Sequence, residues 1–275
     1  MTIEQKTTLL LGGTGKTGRR VAARLEARGR PVRVASRAAA PPFEWADRGT
    51  WAPVLAGVES IYLAYYPDLA SPGAAEQVGA LSRLAAASGV RRIVLLSGRG
   101  EPQVHASEQA VRESGAAYTI LRCAWFNQNF SEGLLLEPLR GGELAFPAGA
   151  VSEPFLDADD IADVAVAALT DDAHAGQIYE LTGPRLLRFD EAVDAIAHAS
   201  GRTLRYVPVT PAEYATLLTR YLPAEEASGL ASLFGYLLDG HNAHLADGVE
   251  RVLGRRPRDF ATYAREAAAA GTWAP

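Results

Sequence analysis

The sequence predicts an α/β protein with a parallel, doubly wound sheet and a small C-terminal α/β lobe. Three observations carry that prediction. A short apolar run, Leu9–Leu11, ends in the glycine-dense stretch GGTGKTG, which opens at once into a helical pattern. Strand-like and helix-like segments then alternate through the first half, as a sheet with crossover helices requires. The alternation loosens past residue 150, which divides the chain into residues 1–150 and a smaller lobe of residues 151–275, interleaved with the sheet rather than independent.

Thr7–Leu11 reads as the first strand and Lys16–Arg28 as the first helix, stopped by Gly29. Val32–Ser36 is the second strand. The expected third strand, between Ala38 and Trp51, is degenerate or short, because that stretch holds two prolines and no clear period. Ser60–Tyr65 is rich in β-branched and aromatic residues and reads as a strand. A helix over Gly73–Ser88, a buried strand over Arg92–Ser97, a helix over Val104–Ser114 and a strand over Ala117–Arg122 follow. In the second half, Asp157–Leu169 and Phe189–Ser200 read as helices, Gln177–Leu181 and Arg205–Val209 as strands. Pro211–Asp239 reads as helical with a break at Pro223, and Asp259–Ala270 as a last helix.

The glycine turn has a chemical meaning. Gly13, Gly15 and Gly18 fit G-x-G-x-x-G, and Gly12, Gly15 and Gly18 fit the looser G-x-x-G-x-x-G. A tight turn, a backbone without Cβ atoms and a closely packed helix together make room for a dinucleotide pyrophosphate at a helix start, the Rossmann-type arrangement. Gly15-Lys16-Thr17 imitates the end of a P-loop, but that motif needs glycine where Leu10 stands. Gly12, Thr14, Gly15, Lys16, Thr17 and Gly18 are therefore the candidate phosphate-binding residues. The second strand ends in Ser36-Arg37 with no acid to hold a ribose 2′-hydroxyl, which favours NADP(H) over NAD(H), since arginine suits a 2′-phosphate.

Composition removes other classes. With 275 residues, 48% of them hydrophobic, the chain can bury a sizeable core, and a net charge of −5 argues against a nucleic-acid surface. Arg19-Arg20 and Arg255-Arg256 read as solvated faces. The lone cysteine, Cys123, allows no internal disulfide and no multi-cysteine metal site. With no signal peptide and no apolar run long enough for a membrane span, the expected location is cytoplasmic, as a monomer or homodimer. Lys6 and Lys16 are the only lysines, so no Tyr-x-x-x-Lys proton-donor pair exists.

Candidate chemistry gathers at the carboxyl ends of the strands, where ligands of such sheets bind. Ala64, Tyr65, Ser97, Gly98, Cys123 and Trp125 are expected around the cofactor, and Tyr66, Phe126, Asn127, Phe130 and His241 around a small aromatic substrate. Tyr65 and Tyr66 wall a ligand or close the edge of the core; Ser97 reaches the nicotinamide or forms a turn. His105 can exchange a proton near neutral pH, with Glu108 three residues on to orient it, or is an exposed helical histidine. Tyr65, Ser97 and His105 are the catalytic candidates. Asp157, Asp159, Asp160 and Asp163 precede or begin an apolar helix, which fits N-capping and dipole complementarity rather than a metal. His241 and His244 have no cysteine nearby for zinc.

The motifs taken together resemble the NmrA-like group of atypical short-chain dehydrogenases/reductases. LLLGGTGKTGRRV, SIYLAYYPD, SGVRRIVLLSG, ESGAAYTILRCAWFNQNF, FLDADDIADVAVAAL, GQIYELTGP and RRPRDFATYAREAAAAG occur in the order that group shows. The resemblance implies a Rossmann domain binding NAD(P) and a C-terminal lobe over a substrate cleft. The related isoflavone-reductase-like enzymes carry a lysine on the helix after the strand RIVLLS resembles. This chain has none there, and His105 falls close to that place. The expected activity is NAD(P)H-dependent reduction of a small aromatic ketone or quinone, as in aromatic polyketide tailoring. Two alternatives stand beside it: quinone reduction coupled to oxygen insertion without flavin or metal, and a non-catalytic NAD(P)-sensing regulator.

Overall fold

A computed structural model describes residues 7–274. In chain order, β1 (Thr7–Leu11), α1 (Gly18–Glu26), β2 (Val32–Ala35), α2 (Trp51–Leu55), β3 (Val58–Leu63), α3 (Ala74–Ala87), β4 (Arg92–Gly98), α4 (His105–Arg112) and β5 (Ala117–Cys123) fill the first half. Then come α5 (Leu136–Arg140), β6 (Glu143–Phe146), β7 (Ser152–Glu153), α6 (Ala158–Thr170), β8 (Gln177–Leu181), β9 (Leu187–Arg188) and α7 (Phe189–Ser200). β10 (Arg205–Pro208), α8 (Pro211–Leu218), α9 (Ala224–Leu237), α10 (Gly248–Leu253) and α11 (Phe260–Ala269) complete it. Two compact units result. One holds the residues up to Cys123 with Ala158–Leu181 and Gly248–Arg255; the other holds Ala124–Asp157, Thr182–Asp247 and the chain from Arg256.

The first unit is the expected Rossmann-type sheet, six parallel strands in the order β2-β1-β3-β4-β5-β8. Its inner strands are buried on both faces, which is why they read as unbroken apolar runs rather than alternating ones. Helices α1, α6 and α10 pack as one group and α2, α3 and α4 as another. The strand order reverses beside β1, and a crevice at the carboxyl ends opens at such a reversal.

One expectation is corrected. No third strand lies between Ala38 and Trp51 among the described residues; Val58–Leu63 is itself the third strand and pairs directly with β1. Pro41 and Pro42 offer no amide to a ladder, and the Asp47 side chain accepts from the Gly49 amide at 2.9 Å, starting a 3₁₀ turn that leads into α2. Trp51, Val54 and Leu55 then bury one face of that short helix.

A second correction concerns the acidic start of α6. Its carboxylates are held by arginines as well as by position: Arg24 binds Asp159 at 2.7 Å and Asp163 at 2.6 Å, and Arg255 binds Asp160 and Asp163, each at 2.7 Å. Arg20 and Arg255 are therefore ion-pair partners of α6, Arg20 half-buried and Arg255 still exposed. Among the described residues no metal-binding group of His, Cys, Asp or Glu occurs, and no helix is long and apolar enough to cross a membrane.

The second unit is organised by aromatic rings. Phe130, Phe146, Phe155, Phe189 and Phe260 are wholly buried, and the Trp273 indole donates to the Phe130 carbonyl at 2.8 Å. Its small strands pair as β6 with β10, parallel, and β7 with β9, antiparallel.

Candidate functional site

The glycine turn shows what each glycine is for. Gly12 lies in the left-handed region, φ +77°, and a Cβ there would meet the Ala64 carbonyl oxygen at 2.6 Å. That seats the turn beneath the end of β3, whose chain also donates from the Ala64 amide to the Leu11 carbonyl at 3.0 Å. A Cβ on Gly18 would fall 2.6 Å from the Gly13 Cα and closer still to the Gly12 carbonyl oxygen, so α1 starts in direct backbone contact with the turn. Thr14 and Gly15 are exposed at the tip, and no side chain caps the start of α1. An uncapped helix start behind an exposed, Cβ-poor turn fits a pyrophosphate, which the helix amides would hold. Lys16 is half-buried, and its carbonyl accepts from Arg20 at 2.8 Å.

Sequence reasoning missed the support for Thr17. The Tyr62 hydroxyl, wholly buried in β3, donates to Thr17 Oγ1 at 2.8 Å, and burial pushes the Tyr62 phenol well above its ordinary range. A tyrosine in the buried apolar half of a strand is the signal, since its hydroxyl must find a partner. Tyr62→Phe should cost about 1 kcal/mol by thermal denaturation, because the Thr17 oxygen loses its donor without a cavity forming.

The cofactor candidates of the first unit lie at the same sheet edge. Ser36 follows β2, and its carbonyl accepts from the Phe43 amide at 3.0 Å; Arg37 is exposed. Tyr65 follows β3, with its ring 4.7 Å from that of Trp45 and its hydroxyl donating to Gln77 Oε1 at 2.9 Å. Burial raises the Tyr65 pKa. Gly98 and Cys123 are register partners on β4 and β5. Cys123 is buried, and that burial pushes its thiol up, so it stays protonated.

Ser97 enters a charged network. Its Oγ donates to Glu108 Oε1 at 2.7 Å, while Arg122 grips the same carboxylate through Nε to Oε1 at 2.9 Å and Nη2 to Oε2 at 2.6 Å. Burial alone would raise the Glu108 pKa. The hydrogen bonds from Arg122 and Ser97, with the charges of Arg122 and His105, outweigh burial and hold it below the usual range. His105 stands exposed at the start of α4, and the Glu108 oxygens face Arg122 and Ser97 rather than its ring. A depressed folded-state pKa stabilises above the unfolded value, about 4.3 for glutamate, and that contribution is lost as pH falls through the folded value. Glu108→Gln should therefore flatten the acid side of the stability profile, measured by denaturation from neutral pH downward. Arg122 leaves a signal in the sequence, a cation near the end of a buried strand. Its partner and Arg99, bound to Glu180 at 3.1 Å, do not.

Trp125, expected around the cofactor, and the substrate candidates scatter. Trp125 sits in the second unit against Phe146, Phe189 and Phe234, centroids 5.8, 5.7 and 5.4 Å away, and its indole nitrogen is buried with no hydrogen-bond partner among the described residues. Asn127 is also wholly buried, and neither side-chain atom of its amide has a partner. Phe126 is half-buried beside Leu156, and Phe130 is core, between Phe155, Phe189 and Phe260. His241 is bound to Asp239, with its ring 5.3 Å from that of Tyr236. Tyr66 is 76% exposed.

Known proteins agree with this geometry. The profile of the NAD(P)H-binding family matches residues 12–172. The oxidoreductase YesF of Bacillus subtilis is 34% identical over 284 residues, covering 98% of each chain. Among solved structures, the NADPH-dependent quinone oxidoreductase of Escherichia coli complexed with NADPH has a TM-score of 0.75 at 20% identity, covering 94% of this chain and 99% of that one. A mutant NmrA has a TM-score of 0.72 at 18% identity, covering 98% of this chain and 97% of that one. A parallel sheet whose glycine turn is shaped for a dinucleotide, matched by family and by relatives over nearly the whole chain, places the chain in the NAD(P)H-binding family, as an NAD(P)H-dependent oxidoreductase.

Proposed function

We propose that this oxidoreductase uses NADPH to reduce a small aromatic quinone, in preference to a simple aromatic ketone. The observation that carries the reading is the state of the candidate acids. The Ser97 hydrogen is committed to Glu108 and the Tyr65 hydrogen to Gln77, and His105 is exposed on α4. Bound NADPH supplies the hydride. A ketone then needs a proton delivered to its oxygen, whereas a quinone accepts hydride to give a stabilised phenolate with little help. The buried Trp125 and Asn127 donors, in or beside an aromatic cluster, suit a flat ring bearing oxygen. The Escherichia coli quinone oxidoreductase of the same fold supports the class.

Anaerobic NADPH oxidation with a naphthoquinone and with acetophenone tests this. Turnover of the quinone alone, at a rate flat across neutral pH, is the expected result. Turnover of the ketone with a bell-shaped pH profile, and none of the quinone, overturns it.

Arg37 is exposed just past the end of β2, so its charge is available to a 2′-phosphate. Arg37→Ala should weaken NADPH by about tenfold, the size of one exposed charge-assisted bond, and leave NADH unchanged in fluorescence titrations.

A further inference from the structure

Ser97, Arg122 and Glu180 stand side by side in register on β4, β5 and β8, near the carboxyl ends of all three strands. Glu108, from the first turn of α4, closes the row at one end, and Arg99 closes it at the other. A row of alternating charge across a partly buried sheet edge is costly to build at its covered end, where Ser97 and Glu108 lie, unless the oxygens and N–H groups there are directed. Here the direction converges on one hydroxyl.

We propose that Glu108 and Arg122 are positioning residues that fix the Ser97 hydroxyl as a hydrogen-bond acceptor, and that this acceptor takes a carboxamide N–H of the bound nicotinamide. The proposal rests on dinucleotide binding by this chain and is independent of the substrate. A serine hydroxyl has one hydrogen and two lone pairs, and an ionised carboxylate only accepts. The Ser97 hydrogen therefore lies toward Glu108, at 2.7 Å, and only lone pairs remain for a ligand. Arg122 holds both Glu108 oxygens in a fork, so the carboxylate is not free to turn away. Glu180, the register neighbour of Arg122, reinforces the charge that holds the guanidinium in place. Ser97 is 5% exposed, at the edge where the cofactor candidates gather. Of the carboxamide's two ends, only its N–H₂ end complements an acceptor.

The test compares NADPH with its acetylpyridine analogue, in which a methyl group replaces the amide nitrogen, by fluorescence titration of the full chain without substrate. The wild type should bind NADPH about tenfold more tightly, as one satisfied hydrogen bond dictates. Ser97→Ala and Glu108→Gln should each bring the two ligands within about twofold, and the double variant no closer, because both changes remove the same bond. Ser97→Ala deletes a single oxygen, so it keeps the test meaningful if Glu108→Gln folds poorly. A purely structural role would lower both affinities together and preserve their ratio. Retention of the tenfold preference in Ser97→Ala overturns the acceptor; its retention in a folded Glu108→Gln overturns the positioning role. Failure of the quinone reading leaves these ratios unchanged, since no substrate is present.

Discussion

Replacing Gly18 by alanine should weaken dinucleotide binding about a hundredfold and loosen the first unit. The added Cβ would lie 2.6 Å from the Gly13 Cα and nearer still to the Gly12 carbonyl oxygen, and both obstacles are backbone. No side chain can swing aside, so either α1 backs away from the turn or the turn opens. Either movement shifts the first amides of α1 by a large part of an ångström, a displacement of the kind that costs about a hundredfold in a positioned site. The overpacking itself should lower stability by about 1–3 kcal/mol. Gly15→Ala is the control. Its Cβ would meet only the Gly12 carbonyl oxygen, at 3.2 Å, and its tip is exposed. That variant should melt near the wild type while still binding NADPH less well, because its methyl group intrudes where phosphate oxygens approach. Thermal denaturation and NADPH titration of both variants read the difference. A Gly18→Ala protein that melts and binds like the wild type would sink the account of the turn.

The contrast between these glycines shows which parts of the site a sequence exposes. Glycine spacing is local, and so is the apolar run before it; β1, β8 and α7 come out with the bounds their sequence patterns predict. The partners of the site are not local. Tyr62 reaches Thr17 across 45 residues, and Arg24 reaches Asp163 across 139, through contacts that only the strand order creates. Glu108 lies three residues from His105, which suggests a pair, yet the sheet register delivers Arg122 and Ser97 to its oxygens first. The stretch between Ala38 and Trp51 misled for a related reason. Expecting one strand per crossover kept a short strand there in spite of two prolines, and missed an aspartate whose chemistry starts a turn. Pairs as short as β7 and β9 have too few residues for a period to register at all.

Asn127→Leu should make the protein more stable, and for that reason it is the most informative change in the second unit. The Asn127 amide is wholly buried, yet its oxygen and nitrogen lack partners among the described residues; its backbone amide is satisfied by the Leu156 carbonyl at 2.8 Å. Its neighbour Gln128 shows the usual solution, donating to Asp157 at 2.8 Å. An unpaired buried amide costs about 1–3 kcal/mol, and leucine has the same heavy-atom branching without a polar atom, its larger methyl groups offsetting part of that gain. Removing that cost should raise the melting temperature by several degrees for a chain of this length. A residue that is kept at the expense of stability is expected where function needs it. If Asn127 meets the substrate oxygen, Asn127→Leu should raise the KM for a naphthoquinone several-fold while the Kd for NADPH stays fixed, because the change removes a donor and leaves the glycine turn untouched. A variant that is less stable than the wild type, with KM unchanged, would mean that the amide is already satisfied inside the folded unit and serves packing alone.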